Sequence, residues 1–302
     1  MGSTLRIATR ASALAVWQAE HVAALLRAAH PSIEVELVPM TTEGDRRLDV
    51  PLSQIGGKGI FATEVQAALL DGRADLAVHS AKDLPALTAP TLLLAAVPER
   101  GDARDALVGA TLEELAPGAV VATGSARRRA LLADLRPDVQ FAELRGNMAT
   151  RLAKAADFDA IVVAAVAFGR LGLGEHLQDV LPVDTFVPQV AQGALAVECR
   201  ADDPATAELL GGIEHAPSRR RVEAERAFLA ELGGDCTLPA GAHAIVREDG
   251  SLLLHAVLAD RVGGRVLRRS GELDAEVSLD AVHQLGRDLA GELRAALGGA
   301  GS

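Results

Sequence analysis

Ala119-Val120-Val121-Ala122-Thr123-Gly124-Ser125-Ala126-Arg127-Arg128-Arg129 is an apolar run that passes through a glycine turn into a charged, helix-forming segment. Residues 119–123 read as a strand and residues 126–135 as the helix that follows it. A strand that enters a helix through Gly-Ser turns the first-turn amides outward, a geometry that accepts anions. Arginines in that first turn oppose the helix dipole, at a cost of about a few tenths of a kcal/mol each unless an anion compensates.

The same alternation of strand and helix runs outward from this stretch. Upstream, residues 5–9 read as a strand and residues 12–29 as a helix, with Leu14, Val16, Trp17, Val22, Leu25 and Leu26 at helical spacing. Residues 33–40 alternate as a second strand, residues 60–70 form an amphipathic run, and residues 75–79 give a third strand. Downstream, residues 160–167 are continuously apolar and read as one buried strand. A final section holds a helix over 219–232, strand-like runs at 242–246, 252–258 and 265–268, and a terminal helix to about residue 297. Such alternation predicts α/β architecture with parallel or mixed sheets. The turn-rich residues 97–102 and the proline-bearing residues 181–192 read as crossovers between domains.

Composition narrows the function. A chain of 302 residues with 49% hydrophobic content has material for two domains or three smaller ones. Its net charge of -11, with no Tyr and one Trp, argues against a nucleic-acid partner, which would want a broad basic face and stacking aromatics. The start, Met1-Gly2-Ser3-Thr4-Leu5-Arg6-Ile7-Ala8, carries no apolar h-region, and uncharged apolar runs fall far short of the ~20 residues that span a bilayer. A cytoplasmic location and no membrane partner are expected. Cys199 and Cys236 lack CxxC spacing and the histidines form no HExxH, so no metal is expected.

Against the acidic background, Arg127, Arg128, Arg129, Arg145 and Arg151 fall within 25 residues. Guanidinium groups fork onto carboxylate or phosphate through paired hydrogen bonds, so several together suit a multiply anionic small molecule. Arg145 and Arg151 flank a Gly146-Asn147 turn, and Arg129 is the member expected to face solvent.

Residues 72–85 place Ser80, Lys82 and Asp83 just past the carboxyl end of a strand, where open α/β sheets bind ligands. A carboxylate there can shuttle a proton or stabilise a cation; equally, Asp83 can cap a turn before Pro85 with Lys82 solvated. Arg10 and Ser12 occupy the corresponding place after the first strand, with a helix cap by Ser12 as the plainer reading. Gly56-Gly57-Lys58-Gly59 lacks the GxxxxGK[ST] spacing and suits either a mobile loop, from which Lys58 could reach a carboxylate, or a simple turn. Cys236 lies among Gly233, Gly234, Pro239 and Gly241, an accessible loop thiol that is either an attachment point, a nucleophile or a neutral loop cysteine. Cys199 reads as a small buried apolar residue.

Taken in order, Arg6-Ile7-Ala8-Thr9-Arg10-Ala11-Ser12, Gly56-Gly57-Lys58-Gly59-Ile60-Phe61, Ala77-Val78-His79-Ser80-Ala81-Lys82-Asp83-Leu84-Pro85, Leu144-Arg145-Gly146-Asn147, Gln192-Gly193-Ala194 and Gly233-Gly234-Asp235-Cys236 resemble the porphobilinogen deaminase family, also called hydroxymethylbilane synthases, nearly end to end. The resemblance implies an α/β fold of two periplasmic-binding-protein-like lobes with mixed sheets plus a smaller C-terminal α/β domain. The expected domains are 1–98 plus 191–215, then 99–190, then 216–302 with the cofactor-attachment cysteine. It further implies a dipyrromethane cofactor joined by thioether to Cys236, with Asp83 as catalytic carboxylate. Ser80, Lys82, Asp83, Thr123, Ser125, Arg127, Arg128, Arg145 and Gly146 match cofactor-binding positions, and Arg10, Ser12, Lys58, Phe61, Arg151 and Gln192 match substrate-binding ones. Porphobilinogen would lose ammonia with help from Asp83, four units would condense head to tail, and water would release hydroxymethylbilane from a monomeric enzyme.

Gln54 and Thr63 stand where many relatives carry lysine, and Gly124-Ser125-Ala126 varies a more usual Ser-Ser-Leu, which predicts weaker loop contributions to substrate capture. Two other readings compete. A two-lobed anion sensor explains the arginines but gives Asp83 and Cys236 no work; a hydrolase with Cys236 as nucleophile has only His243, seven residues on, as a nearby base.

Overall fold

The computed structural model describes residues 4–42, 62–233, 238–260 and 264–298. The chain divides into two compact units, one of residues 1–101 and 194–219 and one of residues 102–193 and 220–302. Strands and helices are numbered along the chain.

The first unit is built on a mixed five-stranded sheet in the order β2-β1-β3-β10-β4. Strands β1 (Thr4–Arg10), β2 (Glu34–Met40) and β3 (Leu76–Ser80) run parallel, and β10 (Leu195–Arg200) inserts antiparallel between β3 and β4 (Leu92–Ala96). Alternation along each strand divides the side chains between two faces. Leu5, Ile7, Leu76, Val78, Leu195, Val197 and Cys199 meet Val22 and Leu26 of helix α1 (Ala13–Ala29) on one face. Ala8 and Ala77 meet Val65, Ala68 and Leu69 of α2 (Thr63–Leu70) on the other. Each Leu or Val so buried contributes roughly 1.5–3 kcal/mol of transfer free energy. Ser12 caps α1 by accepting from the Ala15 amide, and the helix stops at His30, before Pro31.

The second unit holds a mixed five-stranded sheet, β7-β6-β8-β5-β9, and an antiparallel three-stranded sheet, β11-β12-β13. In the larger sheet β5 (Asp105–Val108) pairs antiparallel with β8 (Ala160–Ala164) and β9 (Asp179–Val180), while β6 (Val120–Ala122) runs parallel to β7 (Gln140–Ala142) and β8. Leu131 and Leu132 of α3 (Ala126–Leu135) seal one face with Leu107, Val121 and Val162, and Ile161, Val163 and Phe168 fill the other. The smaller sheet, β11 (Ala240–Val246), β12 (Leu252–Ala259) and β13 (Val266–Leu273), is a meander covered by α6 (Leu279–Gly298), whose Val282, Leu289, Ala290 and Leu293 are buried.

The apolar run at 160–167 is not one strand. Strand β8 ends at Ala164 and helix α5 (Ala165–Arg170) begins at once, burying Ala165, Ala167 and Phe168. A run that is apolar at every position has no period, so nothing in it marks where strand becomes helix. Among the described residues no helix is long and apolar enough to cross a membrane.

Candidate active site

In the first unit β1 and β3 are parallel neighbours, so their carboxyl ends, at Arg10 and Ser80, lie at the same edge of the sheet. A single 3-10 turn, Ala81–Asp83, continues β3. Ser80 is fixed by an exchange of hydrogen bonds with Gln18 of α1, at 2.8 and 3.2 Å. Ala81 is buried, and its amide donates to the Ala194 carbonyl at 3.0 Å. From this fixed turn Lys82 and Asp83 project half-buried, and the Asp83 carboxylate has no hydrogen bond or ion pair among the described residues. Ser12 serves as a helix cap and leaves Arg10, half-buried, at the end of β1.

In the second unit the turn after β6 does what its glycine and serine predict. The Thr123 hydroxyl accepts from the Ser125 amide at 3.3 Å, and Ser125 caps α3 by accepting from the Arg128 amide at 3.4 Å. Gly124 allows a close backbone approach: a Cβ there would stand 2.9 Å from the Leu144 carbonyl oxygen.

Arg127 and Arg128 both point inward, onto Asp105 at the head of β5. Arg127 donates Nη2 to Asp105 Oδ2 at 2.7 Å and Nη1 to the Val187 carbonyl at 2.7 Å. Arg128 donates Nε and Nη2 to Asp105 Oδ1 at 3.0 and 2.7 Å, and Nη1 to the Val162 carbonyl at 2.9 Å. Gln192, fully buried, adds Nε2 to Asp105 Oδ1 at 2.9 Å and to the Ala103 carbonyl at 2.8 Å. Burial pushes the Asp105 carboxyl up, but the charges of Arg127 and Arg128, with hydrogen bonds from Gln192 and Arg127, outweigh it and hold the group at about 2. Desolvation lowers Arg127 from its ordinary value, against the pull of Asp105.

The other arginines differ in state. Arg145 is half-buried and has no hydrogen bond or ion pair among the described residues. Gly146 beside it sits at φ +116°, the left-handed region that glycine adopts without strain. Asn147 caps the short helix α4 (Met148–Ala153), and Arg151 turns back to donate Nε to the Gly146 carbonyl at 2.8 Å. Arg129 faces solvent and pairs with Glu143 at 2.8 Å. Arg170, half-buried, donates to the Gly193 carbonyl and is pushed by burial down to about 10.

Lys58, Phe61 and Cys236 lie outside the described residues, as does Gln54. Cys199 is packed in the apolar core of the first unit, where burial pushes its thiol up to about 11. His243 lies 3.7 Å from the buried Glu225. Among the described residues no three or more metal-ligating side chains gather.

Chemically, the first unit offers, on a fixed turn, a carboxylate with no partner among the described residues. The second offers guanidinium groups, two of them already sharing one carboxylate and one, Arg145, with no partner among the described residues. Sequence reasoning missed Asp105; its signal was an acid heading the otherwise apolar run Ala106-Leu107-Val108.

Family profiles and related sequences agree on one family. The family profile described as "Porphobilinogen deaminase, dipyromethane cofactor binding domain" matches residues 5–208, and that described as "Porphobilinogen deaminase, C-terminal domain" matches residues 219–295. The porphobilinogen deaminase of Nitratidesulfovibrio vulgaris is 46% identical over 310 residues, covering 98% of each chain. That of Syntrophotalea carbinolica is 46% identical over 273 residues, covering 89% of this chain and 86% of its own. Among solved structures, the periplasmic aliphatic sulphonate binding protein SsuA from Escherichia coli is 16% identical with a TM-score of 0.38, covering 96% of this chain and 87% of its own.

Proposed function

The chain belongs to the porphobilinogen deaminase family, and from that premise we propose how its residues divide the work. The enzyme is a transferase of tetrapyrrole biosynthesis: it deaminates porphobilinogen and condenses four units head to tail on a dipyrromethane primer, then releases hydroxymethylbilane. We infer three domains within the two units, in line with the three sheets and with a C-terminal profile that begins at residue 219.

Asp83 is the catalytic group. Its carboxyl delivers a proton to the departing amine of porphobilinogen, and the carboxylate left behind stabilises the cation that forms on the substrate's methylene carbon. The observation that carries this reading is that the half-buried Asp83 carboxylate has no partner among the described residues, on a turn fixed by Ser80 and Ala81. A carboxylate already locked into a salt bridge would be poorly placed to give up a proton and then meet a new cation.

The dipyrromethane, attached through Cys236, supplies the free pyrrole α-carbon at which chain growth occurs. Its carboxylates match what the second unit offers: among the described residues the Arg127–Arg128 pair has one carboxylate for two positive charges, and Arg145 has none. Ser80, Lys82, Thr123, Ser125 and Gly146 complete the primer site, and Arg10, Ser12, Arg151 and Gln192, with Lys58 and Phe61, serve incoming porphobilinogen. For Gln192 the service is indirect, since its amide is bound to Asp105 and Ala103. We infer a cytoplasmic location, supported by two cysteines without metal or redox spacing, and take the monomer that the family resemblance implies as the working state.

Replacing Asp83 by Asn tests the assignment. The purified variant is expected to keep the primer mass and lose nearly all turnover; retention of most activity would remove Asp83 from the mechanism.

A further inference from the structure

Arg127 and Arg128 are almost wholly buried and bring two positive charges to a single negative one, Asp105. Among the described residues their remaining contacts are neutral: the Val187 and Val162 carbonyls, the Gln192 amide oxygen at 3.5 Å from Arg128 Nη2, and the ring of Phe186 at 5.9 Å from the Arg127 guanidinium carbon. A second buried acid, Glu225, joins this region through backbone amides. Its Oε2 accepts from the Ala191 amide at 2.6 Å and its Oε1 from the Ala244 amide at 2.8 Å.

Those two bonds nevertheless bear on the cluster. Ala191 holds φ +59°, a left-handed conformation that a side-chain-bearing residue keeps only when its surroundings impose it. The Glu225 bond to its amide fixes that turn, and the next residue is Gln192, which grips Asp105. Asp105 is thus tied to strand β5, to helix α3 through both guanidinium groups, and to the 190–193 turn through Gln192.

We propose that Asp105 is a positioning residue for Arg127 and Arg128: it orients both guanidinium groups on one buried carboxylate and leaves the cluster a single positive charge in excess, to be met by one carboxylate of the anionic primer. This rests on the family reading above. No covalent step passes through Asp105. Its role is to set direction and charge, so that a ligand carboxylate enters a site that needs one negative charge rather than two or none.

The test compares thermal midpoints of primer-bearing and primer-free protein, the latter made as Cys236→Ala, with Asp105 or with Asp105→Asn, and records primer occupancy by intact mass. Asn keeps the shape and removes the charge, which raises the excess from one to two. The primer-free form should then lose more stability than the primer-bearing form, so the gap between their midpoints widens by roughly 3 °C or more. A purely structural Asp105 would lower both forms alike, and an unchanged gap overturns the proposal. If Asp105→Asn cannot be purified, the charge-balanced pair Asp105→Asn with Arg127→Gln decides. Recovery of folded, primer-bearing protein supports the proposal, and failure to recover it overturns it. Absence of primer mass from the unmodified protein would instead refute the family reading.

Discussion

His79 Nε2 stands 3.2 Å from Glu198 Oε2 in the first unit, and the two side chains are only 5% and 1% exposed. Register explains the meeting: Glu198 on β10 lies opposite Ala77 on β3, and His79 is two residues on, on the same face. Gln66 of α2 donates to the same Glu198 oxygen at 2.8 Å. Since Ser80 is bonded to Gln18 of α1, consecutive residues of β3 are fastened to helices on opposite faces of the sheet, three residues before Asp83.

Replacing His79 by Leu leaves Glu198 buried with Gln66 still attached but without its imidazole neighbour. The expected loss of stability is about 1–3 kcal/mol, the usual scale for a buried polar group left without a partner. Turnover should fall roughly tenfold or more through displacement of Asp83, with primer mass retained. Denaturant unfolding and steady-state rates check both; wild-type kcat in a folded variant would disconnect the pair from catalysis.

Acid should act through Asp105. Its carboxyl is held at about 2 in the fold, against roughly 3.9 in an unfolded chain. A depressed folded value means the stabilisation is complete above the unfolded value and is lost as pH falls through the folded one. It amounts to roughly 2–3 kcal/mol. Unfolding free energies of the wild type are expected to drop between about pH 4 and pH 2, and those of Asp105→Asn to start lower and depend less steeply on pH in that window.

Gly124→Ser is expected to destabilise by about 1–3 kcal/mol, because the new Cβ would stand 2.9 Å from the Leu144 carbonyl and push the Leu144–Arg145 backbone away. Gly169→Ala, where a Cβ meets nothing within 4 Å, is the control and should change stability little or raise it. Equal midpoints for wild type and Gly124→Ser would show that the close approach is not tight in solution.

Arg145 and Arg129 make a matched pair for testing anion capture. Arg145 has no partner among the described residues, whereas Arg129 is exposed and paired with Glu143. Loss of a charge-assisted contact at Arg145→Leu should weaken substrate or primer handling by roughly tenfold or more. Arg129→Leu should stay within about twofold, as exposed pairs contribute little. The ratio kcat/KM and primer occupancy in the two variants provide the comparison.

Much of this was legible in the chain, and the gaps have physical causes. The passage from strand through Gly124-Ser125 into an arginine-bearing helix stands as read, with Ser125 at the cap. Sequence reading did not see that Arg127 and Arg128 also meet Asp105, which lies 22 residues before Arg127 and is brought to it through antiparallel pairing of β5 with β8. Non-local pairing of a four-residue strand leaves no periodic trace. The same limit hid β10, and with it the contact between Glu198 and His79. Arg129 facing solvent was legible, since the helical period turns it away from its two predecessors.

Intact-mass measurement of the purified protein tests the central claim most directly. The account predicts a mass above that of the 302-residue polypeptide by two linked pyrrole units, and the bare mass in Cys236→Ala. A bare polypeptide mass in the unmodified protein, or extra mass that survives Cys236→Ala, would contradict it.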